Sequence, residues 1–446
     1  MFMNCYFSWH IAMNLKTLSI SFYRLKIDAL NKILGREKAI VPETKLLSFL
    51  LCPYQGKWPK MTCVSGNCKR CADLLRPFTV KCYEHYFLNV KWFHWERREV
   101  EGKKKLDIHA YDGTVGDLID QLSGDLECPT KGTTFVKHLF NAYWQQSQYE
   151  LARDTLKQGQ VLLLQDFAEN RKATYAQEVK SAHFGKAQVS LHPTVCFYKN
   201  EEEQLVRHVA MFFSDDIGHD YHAVHCYTLK MVEQLRKETV VDEVILWSDG
   251  AASQYKGRGT FADLSLYPFP AQRNFFGSEH GKGEADGETG RFSQAMARAV
   301  AKGQCFRNAQ DMCSFGQQNY ESENLKKYSF ILVGKEEIRR DRPETDVGTL
   351  PGTRSLHQLH KKKSYILAGR KLSCFCNACK EEKGLCENSE FVQPFEIYKM
   401  KPSKPVDAEV DEPNIPVPVP EEIEMRATSP VLTSFESTSI KHATLR

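Results

Sequence analysis

Two apolar runs, each stopping at an aspartate, constrain this chain more than any other feature: VLLLQD ends at Asp166 and VVDEVILWSD ends at Asp249. A short aliphatic run without polar alternation reads as a buried strand, so both aspartates are expected where a buried strand emerges into a loop. A third acidic group, Glu284, Asp286 and Glu288, follows in SEHGKGEADGETGRF, close to a predicted helix start. Two carboxylates at strand ends and a third near a helix can hold a pair of Mg²⁺ or Mn²⁺ ions, hard cations that take anionic oxygen ligands, for phosphodiester chemistry.

At 446 residues the chain exceeds a single hydrophobic core, and two or three domains are expected. The net charge of +4 neither demands nor excludes nucleic acid, because a local basic face decides that. The stretch MFMNCYFSWHIAMNLKTLSI lacks a basic leader and a small-residue cleavage site, and no apolar run reaches the length of a membrane span. An intracellular location without membrane attachment is expected. The fifteen cysteines then read as reduced thiols or metal ligands, not as a disulfide framework.

Residues 1–50 form an N-terminal helical region, with helical spacing in LKTLSISFYRLKIDALNKILG. Residues 51–130 form a cysteine-containing module with a β-rich extension over 84–110. A helix is predicted over 135–157. From 160 the pattern runs through three strands (VLLLQDF, QVSLHPTVCFY, EQLVRHVAMFFSDD), a helix (HAVHCYTLKMVEQLRKE) and a strand (VVDEVILWSD). A mixed segment for which a helix is one reading (YKGRGTFADLSLY), a strand (AQRNFFGSEH) and a helix (RFSQAMARAVAKG) follow. A three-strand meander leading into alternating strands and helices predicts a ribonuclease H-like α/β core over 131–330. Residues 331–394 hold two more strand-like pieces, SFILVG and SYILAG, and a cysteine-rich knuckle. The Pro- and Ser/Thr-rich tail, 395–446, is expected to be disordered, with proteins as its ligands.

Cys374, Cys376, Cys379 and Cys386 place four thiols within thirteen residues, spacing that can close a tetrahedral Zn²⁺ site. Cys63, Cys68 and Cys71 form a second group, with Cys52 or Cys82 as fourth ligand and His85 a further option. The string CVSGNCKRC supplies the turn residues of a knuckle and displays Lys69 and Arg70. His219, His222 and His225 recur every third residue and offer a weaker metal reading.

Helix phase extended backward from Phe292 favours Glu288, and less well Glu284, as the third carboxylate. The strings QDFAEN, SDGAASQYK and HGKGEADG resemble a family of transposon-derived animal proteins related to DDE/D transposases, over about residues 130–390. Its third string resembles HGKG-x-x-DG, which implies Asp286 instead. The resemblance implies a polynucleotidyl transferase or nuclease acting on DNA through Asp166, Asp249 and Asp286, in the nucleus. Glu169 and Asn170 are expected to orient Asp166 or meet substrate. Lys256, Arg258, His280 and Lys282 are expected at the nucleic-acid backbone. RNA is the alternative polymer, and self-association is expected. A non-catalytic, domesticated zinc- and nucleic-acid-binding protein is the competing reading, and a protein-interaction scaffold the third.

Overall fold

A computed structural model describes residues 18–38, 46–100, 102–127, 134–175, 186–277 and 283–403. The N-terminal part contains the helices α1 (Leu18–Lys38), α2 (Leu46–Leu50), α3 (Met61–Val64) and α4 (Arg76–Lys81). A long hairpin, β1 (Asn89–Val100) and β2 (Lys103–Thr114), and helix α5 (Val115–Glu127) follow. The mixed aromatic and charged segment expected to give short strands thus forms one antiparallel ribbon, turning at Gly102 with a φ of 70°. Lys26 of α1 is buried and donates to Asp125 of α5 at 2.6 Å, with His94 of β1 2.8 Å away. Burial pulls the Lys26 pKa down, and the Asp125 carboxylate works against that pull.

Helix α6 (Phe135–Asp154), capped by the Thr134 hydroxyl accepting from the Lys137 amide, leads into the central sheet. Its core strands are β3 (Gln160–Gln165), β5 (Gln188–Lys199), β6 (Leu205–Ser214), β7 (Glu243–Ser248) and β8 (Ala271–Phe275); β4 (Arg171–Lys172) pairs with β5. Further strands are β9 (Lys326–Leu332), β10 (Gln358–Lys363), β11 (Ile366–Arg370) and β12 (Glu396–Lys399). The order across the sheet is β12-β11-β10-β8-β7-β3-β5-β6-β9. β3, β7 and β8 run parallel, β5 runs antiparallel to β3 and β6, and β9 lies parallel to β6.

Alternation along β3 explains why VLLLQ is apolar throughout. Val161 and Leu163 pack under α7 (Tyr221–Arg236) and α8 (Arg258–Leu266). Leu162 and Leu164 face the other layer: the end of α6, α9 (Glu284–Ala301) and α10 (Ala309–Asn319). A strand covered by helices on both faces has no position for a solvated side chain. The mixed segment after Asp249 contains α8, whose residues 259–265 are all buried, which erases the amphipathic period that would have marked it as a helix.

The sheet does not stop at residue 330. β10 and β11 extend it beyond β8, and β12 forms its edge on β11. Residues 396–399, expected in the disordered tail, are therefore an ordered edge strand. The ring of Tyr398 lies over Gly369, and Met400 behind it is buried. The remainder of that tail, from residue 404, lies outside the described residues. Among the described residues no helix is long and apolar enough to cross a membrane.

Candidate functional site

The register between β3 and β7 puts the two strand-end aspartates side by side. Gln160 pairs with Glu243 and Leu164 with Trp247 in parallel, a constant offset of 83 residues. Asp166 and Asp249 lie one residue past the ends of these strands, at that same offset. Neighbouring parallel strands are about 4.8 Å apart, so the two aspartates leave the same edge of the sheet as neighbours. Their proximity also shows in Tyr255. This phenol is fully buried, and its pKa is driven far up first by burial and then by the carboxylates of Asp166 and Asp249.

The Asp249 carboxyl is itself held above the usual aspartate range. Burial is the largest cause, the Asp286 charge adds to it, and the Ala251 amide and Lys256 oppose it. Asp286 sits in the first turn of α9, where its Oδ2 accepts from the Gly283 amide at 3.2 Å. It therefore caps the helix and faces Asp249 electrostatically at the same time. Asp249 thus has Asp166 beside it on the sheet edge and the Asp286 charge acting on it from α9, though one oxygen from each of the three does not come within 4.8 Å of the other two.

Glu284 and Glu288 are engaged elsewhere. Arg207 of β6 donates to Glu284 Oε2 at 3.0 Å and to Glu288 Oε1 at 2.9 Å. Arg291 also reaches Glu288, and Arg153 reaches Glu284. Helix phase does turn Glu288 toward the sheet, where it is buried, but it meets an arginine there instead of the strand-end carboxylates.

Lys256 lies beside Asp249. Its Nζ donates to the Arg354 carbonyl at 3.0 Å and sits 4.8 Å from the centre of the Phe275 ring. Burial lowers its pKa to about 8, and the Asp249 charge limits the fall. Arg258 is more than half exposed, bonded to the Val347 carbonyl and 3.5 Å from Asp346. His280 and Lys282 lie outside the described residues. Glu169 is exposed, whereas Asn170 holds the next loop: its Oδ1 accepts from His219 at 2.7 Å and its amide donates to the Ile217 carbonyl. His219, His222 and His225 do not converge: they meet Asn170, Arg342 and Asp263 respectively.

Sequence reasoning did not single out Tyr255, although it stands inside SDGAASQYK, nor its partner His192, 3.1 Å away on β5. Burial drops the His192 pKa to about 3, so a neutral ring backs the phenol. A tyrosine six residues beyond a strand-end aspartate carries no periodic signal. Only the loop's return over the strand ends brings it there.

The two cysteine groups have the geometry of metal centres. In each of the sets Cys52, Cys63, Cys68, Cys71 and Cys374, Cys376, Cys379, Cys386, all four sulfurs lie within 4.8 Å of one another. Cys52 and Cys68 are 3.7 Å apart, as are Cys374 and Cys386. A tetrahedral Zn²⁺ with ligands at about 2.3 Å separates its sulfurs by about 3.8 Å, so both sets fit such an ion. The fourth sulfur of the N-terminal set is that of Cys52; Cys82 is buried in the apolar cluster instead. Backbone amides of Arg70 and Cys71 bring Cys68 down to about 6. The Cys374 thiol and then the Arg370 guanidinium, 3.4 Å from the sulfur, bring Cys379 down to about 4. Each set thus contains a sulfur already favoured as thiolate, the form that binds metal.

No curated protein and no solved structure matches the chain. The sequence model of one family matches residues 145–373, a span from the middle of α6 to the segment after β11 that includes all three aspartates. Because that match covers just over half of the chain, the protein belongs to the family described as Domain of unknown function (DUF8701).

Proposed function

We propose that the protein is a metal-dependent phosphodiester-cleaving or strand-transferring enzyme of transposase type acting on DNA, with Asp166, Asp249 and Asp286 as its acidic triad. The observation that carries this reading is the shared edge of β3 and β7, where Asp166 and Asp249 leave the sheet in register. The strand order β6-β5-β3-β7-β8, with only β5 reversed among these five, supports a ribonuclease H-like core. A fold analogy does not establish an activity, so the reading rests on the site.

The donor set fits a pair of hard divalent cations. Asp166 and Asp249 are half-buried and Asp286 is exposed, and the repulsion between Asp286 and Asp249 is one that a bound cation would offset. Bound Mg²⁺ or Mn²⁺ supplies activation of the attacking oxygen and stabilisation of the leaving one. The residues contribute placement: β3 and β7 fix Asp166 and Asp249, and the Gly283 cap fixes Asp286. Tyr255, held by His192, closes the floor of the site against water. Lys256 places a cation next to Asp249, where it would favour a substrate phosphate.

Incubation of the zinc-loaded chain with DNA in Mg²⁺ or Mn²⁺ tests the proposal. Nicking or strand transfer is expected from the wild type. A loss of about 10²–10³-fold or more is expected in Asp249→Asn, the scale of removing one electrostatic partner of a transition state. Cleavage undiminished in that variant would sink the proposal.

A further inference from the structure

The net charge of the chain conceals where its positive charge lies. Residues 52–87 carry Lys57, Lys60, Lys69, Arg70, Arg76 and Lys81 against the two acids Asp73 and Glu84, a local excess of +4 that equals the net charge of the whole chain. The remainder is therefore close to neutral. None of these six cations has an acidic partner among the described residues, whereas Arg153, Arg207, Arg340 and Arg342 of the core are all ion-paired. Asp73 accepts instead from the amides of Leu75 and Arg76, at 3.0 and 3.2 Å. Five of the six cations are exposed. Lys69 and Arg70 stand in the turn between Cys68 and Cys71, so the sulfurs that fit a zinc ion also fix their placement.

Flat apolar groups accompany the charge. Tyr83 is 77% exposed and Phe87 86% exposed, immediately after α4. Their outward position is not a defect of packing, because the same segment buries Phe78 and Cys82 and lays Tyr86 against Gly116. Unpaired cations and exposed aromatic rings within one small module are the combination that holds a polynucleotide strand: the cations meet phosphates and the rings stack on unpaired bases.

We infer that the N-terminal cysteine module binds single-stranded nucleic acid, with Lys69 and Arg70 on the backbone and Tyr83 and Phe87 as stacking platforms. This surface uses none of the triad residues and stands whether or not the triad cleaves.

Fluorescence anisotropy with labelled single strands and duplexes tests it, using the full chain in zinc-containing buffer free of magnesium and chelator. The wild type is expected to bind the single strand with an affinity that falls steeply with salt. The double variant Lys69→Glu, Arg70→Glu should weaken binding about 10-fold or more and flatten the salt slope. Tyr83→Ala and Phe87→Ala should each weaken the single strand about 5-fold or more and leave any duplex binding unchanged. All substituted side chains of the module are exposed, so an unchanged circular dichroism spectrum and zinc content are expected. Binding unaffected by the charge reversal would overturn the inference, and so would a single-strand affinity unmoved by loss of both rings. A surface that ignores nucleic acid but captures an acidic peptide through the same residues would overturn it too.

Discussion

Arg207 decides how three acidic residues within five positions divide their work. It reaches two carboxylates of α9 at once, and Glu288, at 5% side-chain exposure, depends on it. That leaves Asp286, on the other side of the helix, as the carboxylate that faces Asp249. No reading of helix phase could have supplied this, because the deciding partner lies 81 residues away on β6. Helix phase was right about direction and silent about what waited there. Arg207→Met should cost about 2–3 kcal/mol in chemical denaturation, less than a fully orphaned buried charge because Arg291 still reaches Glu288. The same variant should keep its divalent-metal dependence if the triad is Asp166, Asp249 and Asp286. Loss of metal dependence in folded Arg207→Met would return Glu284 or Glu288 to the site.

At the scale of elements, α6 is the member on which distant parts of the chain meet. Trp58, next to the first cysteine group, packs on Phe140 and Trp144, and Phe391, next to the second, packs on the same two rings. Gln145 donates to the Phe275 carbonyl and the Ser373 hydroxyl and accepts from the Ser373 amide, which ties β8 and the second cysteine group to one buried side chain. Gly277 permits that approach: a Cβ there would stand 2.7 Å from the Ala142 Cα. Cysteine spacing was readable directly, because four ligands close together in sequence are close in space. The choice of Cys52 was not, since a stretch of largely irregular chain separates it from Cys63. Elemental analysis should find two zinc ions per chain, and Cys68→Ser and Cys379→Ser should each remove one. Because thiols must lose their protons to bind, zinc should be released as pH falls, with a drop in melting temperature, since both groups share the apolar cluster around α6. Two ions retained in either variant would exclude that cysteine as a ligand.

For the molecule as a whole, the sheet supplies the logic of the acidic site. Helices on both faces force apolar residues along β3 and β7, so polar chemistry has room only where the strands end. This is why the core strands and both strand-end aspartates were legible in sequence: burial on two faces leaves a signal that needs no partner to interpret. β10 was not legible, because QLHKKK turns polar and exposed toward the end of the strand. α8 was legible only as a mixed segment with a helix as one reading, because its residues 259–265 are all buried. Edge and fully buried elements are shaped by what packs on them, and the local sequence does not record it. The acidic site, in contrast, has an energetic signature of its own. The Asp249 pKa is raised in the folded protein, so at neutral pH its charge opposes folding, and removing that charge or neutralising it with a cation should stabilise the fold. The most direct measurement is thermal melting of wild type and Asp249→Asn at neutral pH, with zinc present, across a titration of Mn²⁺. In the absence of Mn²⁺, the Asp249→Asn variant should melt at the same temperature as wild type or above it, and added Mn²⁺ should raise the melting temperature of the wild type alone. An equal rise in both proteins would contradict a divalent-ion site at Asp166, Asp249 and Asp286.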